Sequence, residues 1–271
     1  MISEKDDVLF SIITVCFNER DTIKKTIESV LNQTFNNYDY IVCDGGSADG
    51  TLEIVESYRK SFEQKGVRYI VHSEKDGGIY FGMNIGVTLS SGTYLNFMNA
   101  GDKFHNQSVL EKAASEIQKC DADIFYGDVV VVERGYGKIR ICTEDGIDEG
   151  MTISHQAMFI KAPLMREHPY NTKYRIAADW EFAISMKLEH RVFYKLNLIV
   201  ADFMAGGVST LKYKENIEEC RNIAKTLGIQ YDAVRKLKNA KDNYEKTMKK
   251  AEMPTWMWEV YNKVRNRKKY E

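Results

Sequence analysis

Phe10 to Phe17 (FSIITVCF) is an uninterrupted apolar run rich in β-branched residues, the pattern of a strand covered on both faces of a parallel sheet. After it, Ile23, Ile27, Val30 and Leu31 recur at helical spacing, predicting a helix over Thr22 to Leu31 with Asp21 as its N-cap. The alternation then repeats. Tyr38 to Cys43 predicts a second strand, and the turn Asp44-Gly45-Gly46-Ser47-Ala48-Asp49-Gly50 leads into a helix over Thr51 to Phe62. Val67 to His72 predicts a third strand, Ile79 to Leu89 a helix and Thr93 to Met98 a fourth strand. Strands alternating with helices specify a layered α/β fold, a mostly parallel sheet flanked by helices with right-handed crossovers.

From Ile124 the rhythm changes. Phe125 to Arg134 and Lys138 to Cys142 predict a hairpin around Gly135 to Gly137, Ile153 to Ile160 a strand, Ala178 to Leu188 a helix and Val192 to Phe203 another strand. Beyond Gly206-Gly207, Lys214 to Gly228 and Tyr231 to Ala251 are charged and helical in pattern, and Pro254 breaks into a last segment, Thr255 to Glu271. The expected organisation is one α/β domain over residues 1–210 and a helical C-terminal extension over 211–271.

Composition narrows the function classes. Lys and Arg number 38 against 39 Asp and Glu in 271 residues, with no basic excess to suit a nucleic-acid binder. Five cysteines, widely spaced and without a CxxC pair, argue against a disulfide scaffold or a zinc site and for a reducing compartment. The opening MISEKDDVLF is acidic, and no run approaches the ~18 apolar residues of a membrane span. The expectation is a cytoplasmic chain, or one that meets a membrane only at its inner surface.

In an open α/β sheet ligands bind beyond the carboxyl ends of the strands. The turn after the first strand, Cys16-Phe17-Asn18-Glu19, carries neither the G-x-G-x-x-G of a dinucleotide fold nor a P-loop. The second strand delivers Asp44 into a Gly-Gly-Ser turn. Either its carboxylate accepts hydrogen bonds from a base or ribose, or the turn is a capped loop in which Ser47 or Asp49 serves the following helix. Asn84 and Gly86 interrupt a helical pattern, marking either close packing or a polar group facing a ligand. The fourth strand ends in Asn99-Ala100-Gly101-Asp102. A carboxylate there suits Mg²⁺ or Mn²⁺ bound to a diphosphate, or caps the helix that begins near Gln107.

Taken in order, these turns resemble family 2 of the glycosyltransferases, which have the GT-A (Rossmann-like) fold and use nucleotide-sugar donors. IITVCFNERDTIKKTIESVLNQTF is similar to the family's opening strand and helix. IVCDGGSADGT resembles its V-D-D-G-S-x-D-G-T turn, with Gly45 at the second Asp. SEKDGGIYFGMNIGVTLSSGTYLNFMNAGD resembles a stretch typical of the exopolysaccharide (colanic-acid-type) branch. The resemblance is densest over residues 10–110 and continues through SHQAMF and AADWEF to about Gly207.

The resemblance implies that Thr14, Phe17, Glu19 and Asp44 hold the nucleoside. It implies that Asp102 binds the metal, Mn²⁺ or Mg²⁺, with Asn99 touching ribose or a metal-bound water. Asp179, in Ala178-Asp179-Trp180-Glu181, falls on the family's catalytic base, and His155-Gln156 falls near the diphosphate or acceptor. The metal motif keeps only its last carboxylate, and Ala178 replaces an acidic residue. Asp179 read alone is a helix-start Asp favoured by the dipole, His155 a satisfied core histidine, and Trp180 either an acceptor-sugar platform or core.

The implied activity is inverting transfer of a sugar from a UDP or GDP donor to a saccharide or lipid-linked saccharide hydroxyl in polysaccharide assembly. A catalytically impaired nucleotide-sugar-binding protein is the non-enzymatic alternative. A sugar nucleotidyltransferase would need a Gly-rich basic phosphate loop that CFNERD lacks. Glu245 to Glu271 interleaves eight Lys and Arg with Trp256, Met257, Trp258, Val260 and Tyr261. That suits either peripheral contact with an anionic membrane or docking on the catalytic domain or on a second copy, as in a homodimer.

Overall fold

The computed structural model describes residues 8–133 and 136–254. In chain order its elements are β1 (Phe10–Cys16), α1 (Ile23–Leu31), β2 (Tyr38–Asp44), α2 (Thr51–Ser57), α3 (Arg59–Lys65), β3 (Arg68–Ser73), α4 (Ile79–Leu89), β4 (Tyr94–Phe97) and β5 (Lys103–Phe104). There follow α5 (Val109–Ile117), β6 (Ile124–Glu133), β7 (Tyr136–Arg140), β8 (Met158–Lys161), α6 (Ala162–Glu167), α7 (Ala178–Leu188), β9 (Phe193–Met204), α8 (Val208–Leu211), α9 (Tyr213–Leu227) and α10 (Ala233–Glu252).

One sheet carries the fold, in the order β3-β2-β1-β4-β8-β6-β9-β5, with β7 hairpinned onto β6. The pairs β3–β2, β2–β1 and β1–β4 are parallel, as the opening βα rhythm requires. Beyond β4 the pairing becomes antiparallel through β8 and β6, with a parallel β6–β9 pair before the antiparallel β5 edge. Strands β1, β2 and β4 are buried along their whole length, which explains their continuous apolar runs. Register places Cys16 beside Asp44, so β1 and β2 end level and their following turns meet.

Several local expectations are refined. The N-cap of α1 is Thr22, not Asp21, and the chain enters the helix through amides of Thr22 and Ile23 that donate to the Glu19 carbonyl. The helix expected over Thr51 to Phe62 is two, α2 and α3, divided at Tyr58. The strand expected over Ile153 to Ile160 begins only at Met158, because His155–Ala157 forms a single 3₁₀ turn. Buried Asn96 fixes that turn by donating from Nδ2 to the carbonyls of Gln156 (2.9 Å) and Met158 (2.9 Å).

Gly86 is a packing glycine. A Cβ there would lie 2.4 Å from Ile13 Cγ2, so α4 crosses β1 at a distance that only glycine permits. Gly86→Ala is expected to lower unfolding stability by about 1–3 kcal/mol, the usual cost of overpacking. A urea-denaturation midpoint measured against the parent checks this.

The extension is seated on the sheet-bearing part. Helix α9 packs against α7 and α10, Tyr231 lies 5.5 Å ring to ring from Trp180, and Lys250 pairs with Glu133 at 2.7 Å. Among the described residues no helix is long and apolar enough to cross a membrane. The Trp256 to Tyr261 stretch lies outside the described residues, as do two residues of the β6–β7 turn.

Candidate active site

The turns after β1 and β2 are laced together. Asn18 adopts φ 55°, its backbone amide donates to Ser47 Oγ (2.8 Å), and its Oδ1 accepts from the Ala48 amide (3.0 Å). The Glu19 amide donates to Thr51 Oγ1 (2.8 Å) and the Arg20 amide to Asp49 Oδ2 (3.1 Å). Phe17 stands on this joined rim with 61% of its surface exposed, an apolar ring offered to solvent at the sheet's carboxyl end.

Asp44 lies beneath the rim and organises it. Its Oδ1 accepts from Ser47 Oγ and Cys16 Sγ, and its Oδ2 from the Ser47 amide (3.0 Å) and Ser73 Oγ (2.7 Å). Burial alone would raise this carboxyl, but the bonds from Ser47, Ser73 and Cys16 outweigh it and hold the group below the usual carboxylate value. All four acceptor positions are taken, and a base would have to displace one of these donors.

Thr14 is fully buried, and its hydroxyl donates to the Met98 carbonyl (2.7 Å) and meets the Tyr40 hydroxyl (3.0 Å). That side chain belongs to the core. Asn84 likewise turns to packing: Nδ2 donates to the Tyr170 carbonyl (2.8 Å) and Oδ1 accepts from the Tyr170 amide (3.0 Å). Trp180, 1% exposed and donating from Nε1 to the Ile147 carbonyl (2.6 Å), is core as well.

The remaining residues converge. The Asn99–Asp102 turn is pinned to α1 by Thr26, whose Oγ1 donates to the Asp102 carbonyl (2.6 Å) and accepts from the Gly101 amide (3.1 Å). Asp102 Oδ2 accepts from Gln156 Nε2 (2.8 Å). Next to Gln156, His155 bonds through Nδ1 to Asp179 Oδ2 (3.1 Å) and through Nε2 to Asn99 Nδ2 (3.0 Å). In a strand, neighbours would face opposite sides of the sheet. The 3₁₀ turn brings both into one site, joining Asp102 to Asp179.

Burial pushes the Asp102 carboxyl up to about 6; the Gln156 amide and the His155 ring oppose that rise, and the charge of Glu19 adds to it. Glu19 is thus felt at the metal-candidate carboxylate, while its own side chain accepts from the Thr22 hydroxyl. Among the described residues no group of three or more His, Cys, Asp and Glu could enclose a metal ion. A fully protein-caged ion does not fit. An ion taking one carboxylate and completing its shell from a diphosphate and water does fit. On the same turn, Asn99 Oδ1 is buried without a partner, an acceptor open to a ligand or a bound water.

Asp179 opens α7 half-buried, its side chain 15% exposed. Its Oδ1 faces the Tyr80 hydroxyl (3.0 Å) and accepts from the Trp180 amide (2.9 Å). Among the described residues its Oδ2 meets only His155 Nδ1, which leaves one acceptor position unfilled there. With Asn99 Nδ2 donating to Nε2, the contacts place a His155 proton on Nδ1, facing Asp179 Oδ2. Tyr80 escaped the sequence reading. It stands in a glycine-rich helix start that shows only apolar periodicity, and its partner is 99 residues away.

The family model for glycosyl transferase family 2 matches residues 11–184. A PGL/p-HBAD biosynthesis glycosyltransferase of Mycobacterium bovis is 33% identical over 178 residues, covering 65% of this chain and 68% of its own. A putative teichuronic acid biosynthesis glycosyltransferase of Bacillus subtilis, TuaG, is 28% identical over 127 residues, 47% of this chain and 49% of its own. Among solved structures, S. aureus TarS 1–349 in complex with UDP superposes with a TM-score of 0.63 at 19% identity, covering 84% of this chain and 68% of that one. The mannosyltransferase PcManGT of Pyrobaculum calidifontis, with GDP-Man and Mn²⁺, gives 0.62 at 13% identity, covering 87% and 69%.

Proposed function

The chain belongs to glycosyl transferase family 2 and is a glycosyltransferase, and from that premise we propose that it inverts the anomeric carbon of a nucleoside-diphosphate sugar while passing the sugar to a saccharide hydroxyl. The carrying observation is Asp179, whose carboxyl faces three protein donors and, among the described residues, keeps one acceptor position on Oδ2 unfilled.

In the proposed step the acceptor hydroxyl approaches Asp179 Oδ2, attacks the anomeric carbon from the face opposite the diphosphate, and gives its proton to the carboxylate as the glycosidic bond to phosphate breaks. His155 and the Trp180 amide hold the carboxylate in position, so no reorganisation is needed as charge moves. Asp102 is the residue that would hold a divalent ion, Mn²⁺ or Mg²⁺, with Asn99 beside it; such an ion neutralises charge on the departing diphosphate. Phe17 suits stacking on the base. Glu19 and Asp44 act by shaping the rim on which the nucleoside lies, and Gln156 steers the Asp102 carboxylate.

Neighbours of the same fold are titled as bound to UDP and to GDP-Man with Mn²⁺, and relatives carry names in PGL/p-HBAD and teichuronic acid biosynthesis. Those likenesses support a UDP or GDP donor, a divalent ion and an acceptor that is a saccharide or lipid-linked saccharide in glycan assembly. The basic, Trp-bearing stretch within residues 245–271 supports peripheral contact with an anionic membrane.

The test is a panel of UDP-glucose, UDP-galactose, UDP-N-acetylglucosamine and GDP-mannose, assayed for binding and slow hydrolysis with and without Mn²⁺. Metal-dependent binding of at least one, with turnover, is expected. Binding without turnover, even with saccharide acceptors supplied, would instead indicate a sugar-nucleotide-binding protein.

A further inference from the structure

Helix α7 starts without a cap of its own. Its N-cap position is Ala177, which has no side-chain acceptor, and the Asp179 side chain satisfies only the Trp180 amide. Helix N-termini leave several amides without intrahelical partners. Here a carboxylate from the C-terminal extension takes the N-cap amide, Ala177, together with the two loop amides before it. Glu219, on α9, accepts from the Arg175 amide at Oε1 (2.8 Å) and from the Ile176 and Ala177 amides at Oε2 (2.9 and 3.0 Å).

The same short loop controls the far side of Asp179. The Ile176 carbonyl lies 2.8 Å from the Tyr80 hydroxyl, which is also 3.0 Å from Asp179 Oδ1. Tyr80 has one proton for two acceptors, so the position of Ile176 decides how that proton is shared. A second contact reaches the next residue, since Tyr231, beyond α9, packs on the Trp180 ring. Residues on both sides of Asp179 are therefore fixed by the chain beyond residue 210.

We propose that Glu219 is a positioning residue for sugar transfer, and that the helical extension is a working part of the active site through it. By fixing the 175–177 loop, Glu219 sets the placement of Asp179 and the share of the Tyr80 proton that the carboxylate receives. This rests on the reading of Asp179 as the base. Misplacing a reacting group by about 1 Å can cost about 100-fold in rate, while donor binding, made on the Asp102 side, needs no such precision.

Glu219→Ala and Glu219→Gln are compared with Asp179→Asn and with Glu218→Ala, whose carboxylate only pairs with Arg221 on the surface. Amide hydrogen exchange over residues 173–182 is measured in the free proteins, and hydrolysis in the full chain with whichever panel sugar nucleotide the parent turns over. In Glu219→Ala the 175–177 amides should lose protection and kcat should fall about 10- to 100-fold, with donor KM changed less than about threefold. Glu219→Gln, which keeps one acceptor oxygen, should recover part of the rate, and Glu218→Ala should match the parent.

Unchanged protection, unchanged kcat, or kcat, KM and melting temperature all deteriorating together in Glu219→Ala would overturn the proposal. If Asp179→Asn is inactive while Glu219→Ala is at parental rate, only the Glu219 inference fails. If Asp179→Asn turns over at parental rate, the base assignment fails and the positioning role falls with it.

Discussion

Asp179→Asn is expected to lose about 100- to 10,000-fold in kcat while binding the donor nucleotide as the parent does, because the substitution removes a proton acceptor and little else. The amide has the carboxylate's shape. With Oδ1 kept toward Tyr80 and the Trp180 amide, Nδ2 faces His155 Nδ1, which must then present a lone pair. The ring can do so by moving its proton to Nε2, and Asn99 can answer by turning its unpartnered Oδ1 toward it. The contacts of Asp179, His155 and Asn99 with one another can re-form in this way, so the fold is retained and the loss reports chemistry. Transfer kinetics beside a UDP or GDP titration check this. A parental rate would remove Asp179 from the reaction.

The second large effect is at Asp102. Desolvation raises its carboxyl above the ordinary range, to about 6, because ionisation away from water is costly. The sign follows directly. In the metal-free protein the raised pKa contributes stability below about pH 4, which is lost as pH rises through about 6. Above 6 the partly buried carboxylate is an anion that a divalent ion can relieve. Mn²⁺ should therefore raise the melting temperature at pH 7.5 and have little effect at pH 5, its apparent affinity falling about tenfold per pH unit below 6 as protons compete. Asp102→Asn should abolish this pH dependence and weaken metal-dependent donor binding at least about tenfold, the lower bound set by losses at supporting residues around metal sites. Differential scanning calorimetry across pH 5 to 8, with and without the ion, reads both. An Mn²⁺ response persisting in Asp102→Asn would place the ion elsewhere.

What could be read along the chain was whatever depends on period and local turn chemistry. The runs of β1, β2 and β4 and the Asp44 to Gly50 turn are signals that a few neighbouring residues carry by themselves. Asp102 stands out as a carboxylate at a strand end, whereas Asp179, alone a helix-start Asp favoured by the dipole, stands out only through the family resemblance. Thr14 was less legible, since a threonine inside a β-branched run serves a buried strand and a ligand contact equally well. In the structure Asn84 bonds the Tyr170 backbone and Gly86 admits Ile13, contacts that neither residue announces in the sequence.

The least legible features are long-range pairings of ordinary residues. Glu219 sits in a charged amphipathic stretch, Tyr-Lys-Glu-Asn-Ile-Glu-Glu-Cys-Arg, where every acidic residue suits a solvated face equally well. Only its meeting with three amides some 40 residues earlier gives it meaning. His155-Gln156 was noticed as a pair, but its 3₁₀ turn depends on Asn96, about 60 residues away, and without that turn the two side chains would diverge.

The central claim is single-displacement transfer at one carboxylate. Its most direct measurement is proton NMR of the first-formed product, taken before mutarotation, from the sugar nucleotide that the panel identifies. Starting from an α-linked donor, the account predicts a β-configured product, formed at the parental rate by the unsubstituted protein and lost in Asp179→Asn. An α-configured product would contradict it, because retention requires a second group or a different path that Asp179, acting only as a proton acceptor, does not supply.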